Sequence, residues 1–155
     1  MSPAYILTAA GLDYKPGPAF SAFIAPVTAK YTIVNDQVLA DSGAFGVDPG
    51  KKFRGEFGGY LRVQFQKDIF KNVNFGTKAE FFSNYLNNPQ NIDVNWETLL
   101  TLKANEFLSA TVSTQLIYDD DINIAKDDDD DGVIDRSSPD VQFKEVLAIG
   151  ITLKF

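Results

Sequence analysis

The sequence contains no cysteine and no histidine among its 155 residues. Without cysteine there is no disulfide framework, thiolate nucleophile or zinc–thiolate site. Without histidine there is no Ser-His-Asp triad, imidazole metal site or histidine general base. Catalysis would have to rest on carboxylates or a hard metal ion, and we predict that the protein is not an enzyme.

Long hydrophobic runs are also missing. No apolar segment approaches the roughly 18–20 residues of a membrane-spanning helix, which excludes a helical membrane protein. The net charge of −7 argues against nucleic acid as a partner, because phosphates favour basic surfaces. The first residues lack the charged and apolar regions of a secretory signal. Taken literally, this absence predicts a cytoplasmic protein, but because of the strand pattern described below we expect a mature or shortened chain.

The last residues show period-two alternation. Between Leu147 and Phe155, apolar residues occupy every odd position and small or polar residues occupy the even positions. This pattern predicts a half-buried β-strand. A strand that is apolar on one face and ends on an aromatic residue is typical of a bacterial outer-membrane barrel, in which the apolar face meets lipid.

Six earlier segments alternate in the same way, near residues 5–14, 19–34, 56–66, 75–85, 94–103 and 108–118. Each is about ten residues or longer, which is the length that crosses a bilayer at a tilt. Short and long connections alternate between them, as in outer-membrane barrels. The sequence therefore predicts an all-β, antiparallel, up-and-down transmembrane β-barrel in a single domain, 1–155, with about seven to eight strands visible.

An odd number of strands needs an explanation, because bacterial single-chain barrels have an even number. Either the segment 19–34 divides at Pro26, or the chain is the C-terminal part of a larger barrel, or a partner closes the sheet. We favour the second explanation, since an open edge near residues 5–14 would otherwise promote aggregation.

Charged residues lie inside these strands and share one face with polar neighbours. They are Arg62, Lys78, Glu80, Glu97, Lys103 and Lys154. In a membrane barrel this face would line the interior, where the charges either line a pore or pair across strands. A small soluble β-barrel or sandwich that binds a hydrophobic ligand is the alternative. A carboxylate hydrolase that uses Glu80 and Glu97 is a third, weaker interpretation.

Aromatic residues are abundant, with 13 Phe and 6 Tyr beside 1 Trp. Many lie toward the ends of the predicted strands: Tyr5, Tyr14, Tyr31, Phe57, Phe65, Phe75, Phe81, Tyr85, Trp96, Tyr118, Phe143 and Phe155. Such a distribution indicates aromatic girdles at membrane interfaces. The alternative is the aromatic core of a soluble sandwich.

An acidic segment precedes the last strand. Residues 127–135, DDDDDGVID, fit a calcium-loop spacing with Asp127, Asp129, Asp131 and Asp135 as side-chain ligands. Ser138 stands where such loops carry a bidentate glutamate. The segment therefore predicts either a calcium site that orders a loop or a solvated external loop.

The segments KDIFKNVNF at 67–75 and FSNYLNNPQNIDVNWE at 82–97 resemble a Bacteroidota outer-membrane barrel family of unknown function. Residues 11–16, 32–36, 116–121 and 142–147 also resemble it. Members of that family are longer at the N-terminus. The resemblance implies a C-terminal portion of a barrel, an outer-membrane location, lipid as a partner, and closure by missing N-terminal strands or a membrane-protein partner. It implies no activity and no catalytic residues.

Overall fold

The computed structural model describes residues 3–127, 129 and 132–151. Seven antiparallel strands form one sheet in the order β1-β2-β3-β4-β5-β6-β9, and β7 pairs with β8 in a separate hairpin. The strands are β1 (Ala4–Gly17), β2 (Phe20–Ile33), β3 (Phe53–Phe70), β4 (Val73–Asn84), β5 (Ile92–Lys103), β6 (Leu108–Tyr118), β7 (Asn123–Lys126), β8 (Arg136–Pro139) and β9 (Gln142–Ile151). The expected all-β, antiparallel, up-and-down order is confirmed.

The sheet is not closed into a barrel. Among the described residues, β1 pairs only with β2 and β9 pairs only with β6, so both strands are edges. The seven strands have between 10 and 18 residues, as the alternation predicted. Lys154 and Phe155 lie outside the described residues.

The connections differ between the two ends of the sheet. Short connections at residues 18–19, 71–72 and 104–107 define the turn end. Longer connections at 34–52, 85–91 and 119–141 define the loop end. The predicted alternation of short and long connections is confirmed. β3 continues to Phe70, however, beyond the predicted segment 56–66, so the turn begins only at Lys71.

The loop between β2 and β3 carries local structure that the sequence did not predict. A short helix α1 (Gln37–Asp41) begins at Asp36, whose carboxylate accepts hydrogen bonds from the amides of Val38 and Leu39. A 3-10 turn (Ala44–Gly46) follows α1. Val34, Ala40 and Val47 are buried together and pack with Leu39 and Phe45. A helix of one turn is too short to give a helical period in the sequence.

Pro26 interrupts β2 without placing it at an edge. Pairing with β3 skips from Ala25 to Thr28, which is a bulge, because proline has no amide to donate to the ladder. The bulge changes the face of the residues that follow. Phe23 pairs with Arg62 on one face, whereas Ala29 pairs with Phe57 on the other. The odd-numbered residues of the alternating segment 19–34 therefore do not share a single face.

The sheet is strongly curved toward its polar face. The Lys30 ammonium of β2 lies 3.2 Å from Asp93 Oδ2 of β5, although β3 and β4 separate these strands. Three strand spacings in a flat sheet cover roughly 14 Å. This is more than a lysine and an aspartate side chain on the same face of a flat sheet can bridge. The face that carries Lys30 and Asp93 is thus concave, and the opposite face is convex.

The convex face is apolar and exposed. Paired residues share a face of a sheet, and the partners Ile149–Ala110, Ala110–Leu102 and Leu102–Val73 trace it across four strands. Its exposed side chains include Ile6, Leu12, Ile24, Val27, Tyr31, Phe57, Trp96, Leu102, Phe143, Leu147, Ile149 and Ile151. Exposed hydrophobic area of this extent is atypical of a monomer in water.

Some side chains depart from this division. Glu145 of β9 lies on the convex face, where it pairs with Thr114. Threonines continue this row across β5 and β4, since Thr114 pairs with Thr98 and Thr98 pairs with Thr77. On the concave side, Tyr5, Leu7, Leu99 and Val146 are exposed apolar residues. The two faces are therefore predominantly, though not completely, apolar and polar.

Candidate functional site

The concave face carries a row of polar side chains that crosses six strands. Register pairs join them one after another. The members of this polar row are Ser21, Gln64, Lys78, Glu97, Gln115 and Lys144. Because directly opposite residues in a sheet lie close together, the row forms a continuous band of donors and acceptors.

Hydrogen bonds and ion pairs connect the middle of this row. Lys78 Nζ lies 3.3 Å from Glu97 Oε2 and 3.2 Å from Glu80 Oε2. Asn95 donates to Glu80 Oε2 at 3.3 Å, and Gln115 donates to Glu97 Oε1 at 3.3 Å. Tyr60 donates its hydroxyl proton to Glu80. The side chains therefore satisfy one another's hydrogen-bonding capacity.

This network bears on the hydrolase interpretation, in which Glu80 and Glu97 are the reacting carboxylates. The structure does bring the two carboxylates together, on neighbouring strands β4 and β5. Each carboxylate contacts the same Lys78 ammonium, Glu80 along β4 and Glu97 across to β5, and the second contact is the cross-strand pairing that the alternative interpretation predicts. Arg62 shares the concave face and lies 5.5 Å from the ring centroid of Phe23.

A second group of charges lies near the loop end, and we call it the loop-end charge cluster. It contains two cations and four carboxylates: Lys30, Arg54, Glu56, Asp93, Asp119 and Asp121. Lys30 Nζ is 3.5 Å from Glu56 Oε2 and 3.9 Å from Asp119 Oδ2. Its ammonium also lies 5.1 Å from the ring centroid of Phe82. Lys30 thus contacts groups from four separate parts of the chain.

Arg54 joins this cluster to the loops. Its guanidinium donates to Glu56 Oε1 at 3.0 Å and to the carbonyl oxygen of Gly46 at 3.2 Å. It also forms an ion pair with Asp121, in the connection that follows β6. Asn91 donates to Asp120, which links the β4–β5 loop to the same connection. The three loops are therefore held together at one end of the concave face.

Glu56 is the most buried member of the cluster, with a residue exposure of 3%. Its Oε1 accepts from Arg54, whereas its Oε2 accepts no hydrogen bond and relies on the ammonium of Lys30 3.5 Å away. A buried carboxylate is costly unless a cation compensates it. The stability of this end of the sheet therefore depends on Lys30 and Arg54.

A cavity of about 700 Å³ opens on the concave face toward the turn end. Its lining takes residues from all seven strands of the sheet, for example Lys15, Ser21, Gln64, Lys78, Glu97, Ser113 and Lys144. All six members of the polar row contribute to it. The concave face therefore combines a charged, closely packed loop end with an open turn end whose lining mixes polar side chains with apolar ones such as Leu99 and Val146.

The described residues of the acidic segment lie between β7 and β8. Carboxylate oxygens of Asp127, Asp129 and Asp135 all lie within 4.8 Å of one another, and all three residues are exposed or half-buried. The amide of Gly132 donates to Asp127 Oδ2 at 2.6 Å. Asp131, the fourth predicted ligand, lies outside the described residues. The structure thus brings together three of the four predicted ligands in an arrangement able to hold a metal ion.

Two aromatic pairs of the convex face lie near the loop end. The rings of Tyr31 and Phe53 stack with their centroids 5.6 Å apart, and those of Phe57 and Tyr85 meet edge to face at 6.2 Å. Trp96 lies further along the same face and donates its indole N–H to Thr77 Oγ1 at 2.9 Å. Tyr5 differs, since its partner Thr32 belongs to the concave face.

Sequence reasoning missed the loop-end charge cluster. Lys30 and Glu56 lie in the predicted segments 19–34 and 56–66, which were identified by their alternating apolar residues, and Asp119 and Asp121 follow the predicted segment 108–118. The available signal was charge of both signs at strand positions next to the long loops. Their mutual contact follows from curvature and not from spacing along the chain.

No protein-family model, curated protein or solved structure matches this chain. Within the described residues, no helix has the length and hydropathy that crossing a membrane requires. The functional argument therefore rests on the sheet and on the chemistry of its two faces.

Proposed function

We propose that the protein is a non-enzymatic, integral outer-membrane β-barrel protein, with the convex face toward lipid and the concave face toward the interior. The observation that carries this proposal is the inverted polarity of the sheet. Exposed apolar side chains such as Leu147 and Ile149 lie on the convex face, whereas buried Glu56 and the ion pairs lie on the concave face. Soluble barrels have the opposite distribution.

Three further features support a membrane location. The strands are long enough to cross a bilayer at a tilt, the connections are short at one end and long at the other, and two aromatic pairs lie near the loop end. The short turns would face the periplasm and the long loops the outside. The resemblance to Bacteroidota outer-membrane barrels is a separate argument for the same location.

The biochemical role that fits this arrangement is structural support, or the passage or docking of a polar solute or partner. The cavity of about 700 Å³ offers donors and acceptors on the interior face. The rival function is that of a soluble β-barrel or sandwich that binds a small hydrophobic ligand. The polar row argues against that rival, because it lines the concave surface on which an apolar ligand would have to bind.

Gel mobility and detergent dependence test this proposal. We expect the protein to require detergent for extraction from outer membranes, and to migrate differently on a gel before and after boiling, because closed barrels resist unfolding by detergent alone. A monodisperse sample without detergent, with the same mobility in both states, would contradict the membrane assignment and favour the soluble rival.

We also propose that calcium binds the β7–β8 hairpin through Asp127, Asp129 and Asp135, with Asp131 as a further ligand. Oxygens within 4.8 Å of one another can reach one ion, since calcium–oxygen distances are about 2.3–2.6 Å. Calcium would order the hairpin without taking part in chemistry. Calorimetric titration should detect binding that the double substitution Asp127→Asn and Asp135→Asn removes. Asp48→Asn, in another exposed loop, provides the control; equal binding by all three proteins would rule out the site.

A further inference from the structure

We infer that a single additional β-strand lies between β1 and β9 and closes the sheet as an eight-stranded barrel. This inference rests on the proposed function, because a closed barrel is what removes exposed sheet edges inside a membrane. The additional strand comes from a polypeptide segment other than the described residues. The direction of this strand follows from the arrangement of the seven strands, and so does the number of strands needed to close the sheet.

The direction follows from the antiparallel order. Six antiparallel steps separate β1 from β9 in the sheet, so these two edge strands run in the same direction. Direct pairing of β1 with β9 would be parallel, whereas one strand inserted between them is antiparallel to both. A second copy of the chain in the same membrane orientation would again place β1 and β9 in parallel. One inserted strand therefore pairs antiparallel with both edges, which a second copy does not do.

The number of inserted strands follows from the curvature of the sheet. Lys30 of β2 reaches Asp93 of β5 at 3.2 Å, and it reaches Asp119, the residue directly after β6, at 3.9 Å. Side chains from opposite parts of the sheet therefore meet across its interior. Barrels of about eight strands have an interior just wide enough for side chains to fill, whereas much larger barrels leave an aqueous channel. Three or more inserted strands would move these groups apart.

The two edges also define the chemistry of the inserted strand. On the convex side they carry Leu12 and Ile149, which are 80% and 72% exposed, so the strand presents apolar side chains there. On the concave side the edges carry small residues at Ala9 in β1 and at Ala148 and Gly150 in β9, beside the larger Tyr5 and Leu7 of β1 and Val146 of β9. The small residues leave room for polar side chains of the inserted strand to point inward. The partner is thus an amphipathic strand of about ten residues.

Cysteine cross-linking in the outer membrane of the native host tests this inference, and the absence of natural cysteine gives a clean background. Thr8→Cys in β1 is combined with Leu147→Cys, Ile149→Cys or Ile151→Cys in β9. With one strand between them, the two edges lie roughly 10 Å apart. We expect a bismaleimide of that reach to link at least one pair within a chain, and oxidation to link none. Mass spectrometry of linked peptides identifies each product.

Two control pairs calibrate the measurement. Thr8 and Ala29 are register partners, so the pair Thr8→Cys and Ala29→Cys should form a disulfide on oxidation. The pair Thr8→Cys and Leu100→Cys, on distant strands, should form neither product. A β1–β9 disulfide would show direct pairing, links between two chains would show a second copy, and no link at all would show a wider gap. Each of these results would overturn the inference, while gel mobility tests barrel formation separately.

Discussion

Replacing Leu147 with lysine should greatly reduce the folded, membrane-inserted form, whereas replacing its neighbour Val146 with lysine should leave that form largely intact. Leu147 lies in the middle of β9 on the convex face and is 69% exposed. If that face meets lipid, a lysine ammonium there costs about 2–4 kcal/mol near the centre of the bilayer. Val146 lines the cavity on the concave face, where a lysine can reach polar groups and water.

The comparison is sharp because the two residues are adjacent and the two substitutions add the same charge. The readout is the fraction of chains with folded gel mobility after extraction from the outer membrane. A soluble protein would give the opposite order, since Leu147 would face water and its replacement by lysine would be harmless or would increase solubility. Equal tolerance of both substitutions would contradict the assignment of the convex face to lipid.

Replacing Lys30 with methionine should produce the largest loss of stability of any single substitution in the loop-end charge cluster. Methionine keeps most of the side-chain volume but leaves Glu56, Asp93 and Asp119 without their shared cation. Removing one partner of a buried ion pair typically costs about 3–5 kcal/mol. The free energy of unfolding, measured by urea titration in detergent micelles, should fall by an amount of that order.

Two variants make this prediction specific. Lys51→Met removes a lysine that pairs with Asp48 at 2.8 Å in an exposed loop, and it should change the unfolding free energy little, because exposed ion pairs contribute little. Asp93→Asn combined with Lys30→Met removes one of the uncompensated carboxylates and should recover part of the lost stability. If Lys30→Met is as mild as Lys51→Met, the cluster does not hold the loop end together.

The alternation of the sequence was sufficient to predict the strands of the main sheet. Seven segments gave seven strands in up-and-down order, since side-chain period and connection length are both local properties. The face of each strand was less predictable. At Pro26 a bulge shifts β2 by one position, so Phe23 and Ala29 lie on opposite faces. A bulge is defined by the pairing of a strand with its neighbour, so the sequence of one strand alone does not show where its alternation changes face.

Long-range contacts were not predictable from spacing. The approach of Lys30 to Asp93 depends on the curvature of four strands, and no local pattern encodes that curvature. The β7–β8 hairpin was also missed, because its strands have four residues each and lie in a polar segment without apolar alternation. The acidic ligands were predicted from their spacing, and the hairpin now explains how Asp127 and Asp135 come together.

The central claim is that the convex face contacts lipid, and the fluorescence of Trp96 tests it most directly. Trp96 is the single tryptophan of the chain, lies on the convex face and is 49% exposed. The protein is reconstituted into vesicles with brominated acyl chains, and emission is compared with that in unlabelled vesicles and with iodide in the aqueous phase. We expect strong quenching by brominated lipid and weak quenching by iodide. Strong iodide quenching without an effect of bromine would contradict the account.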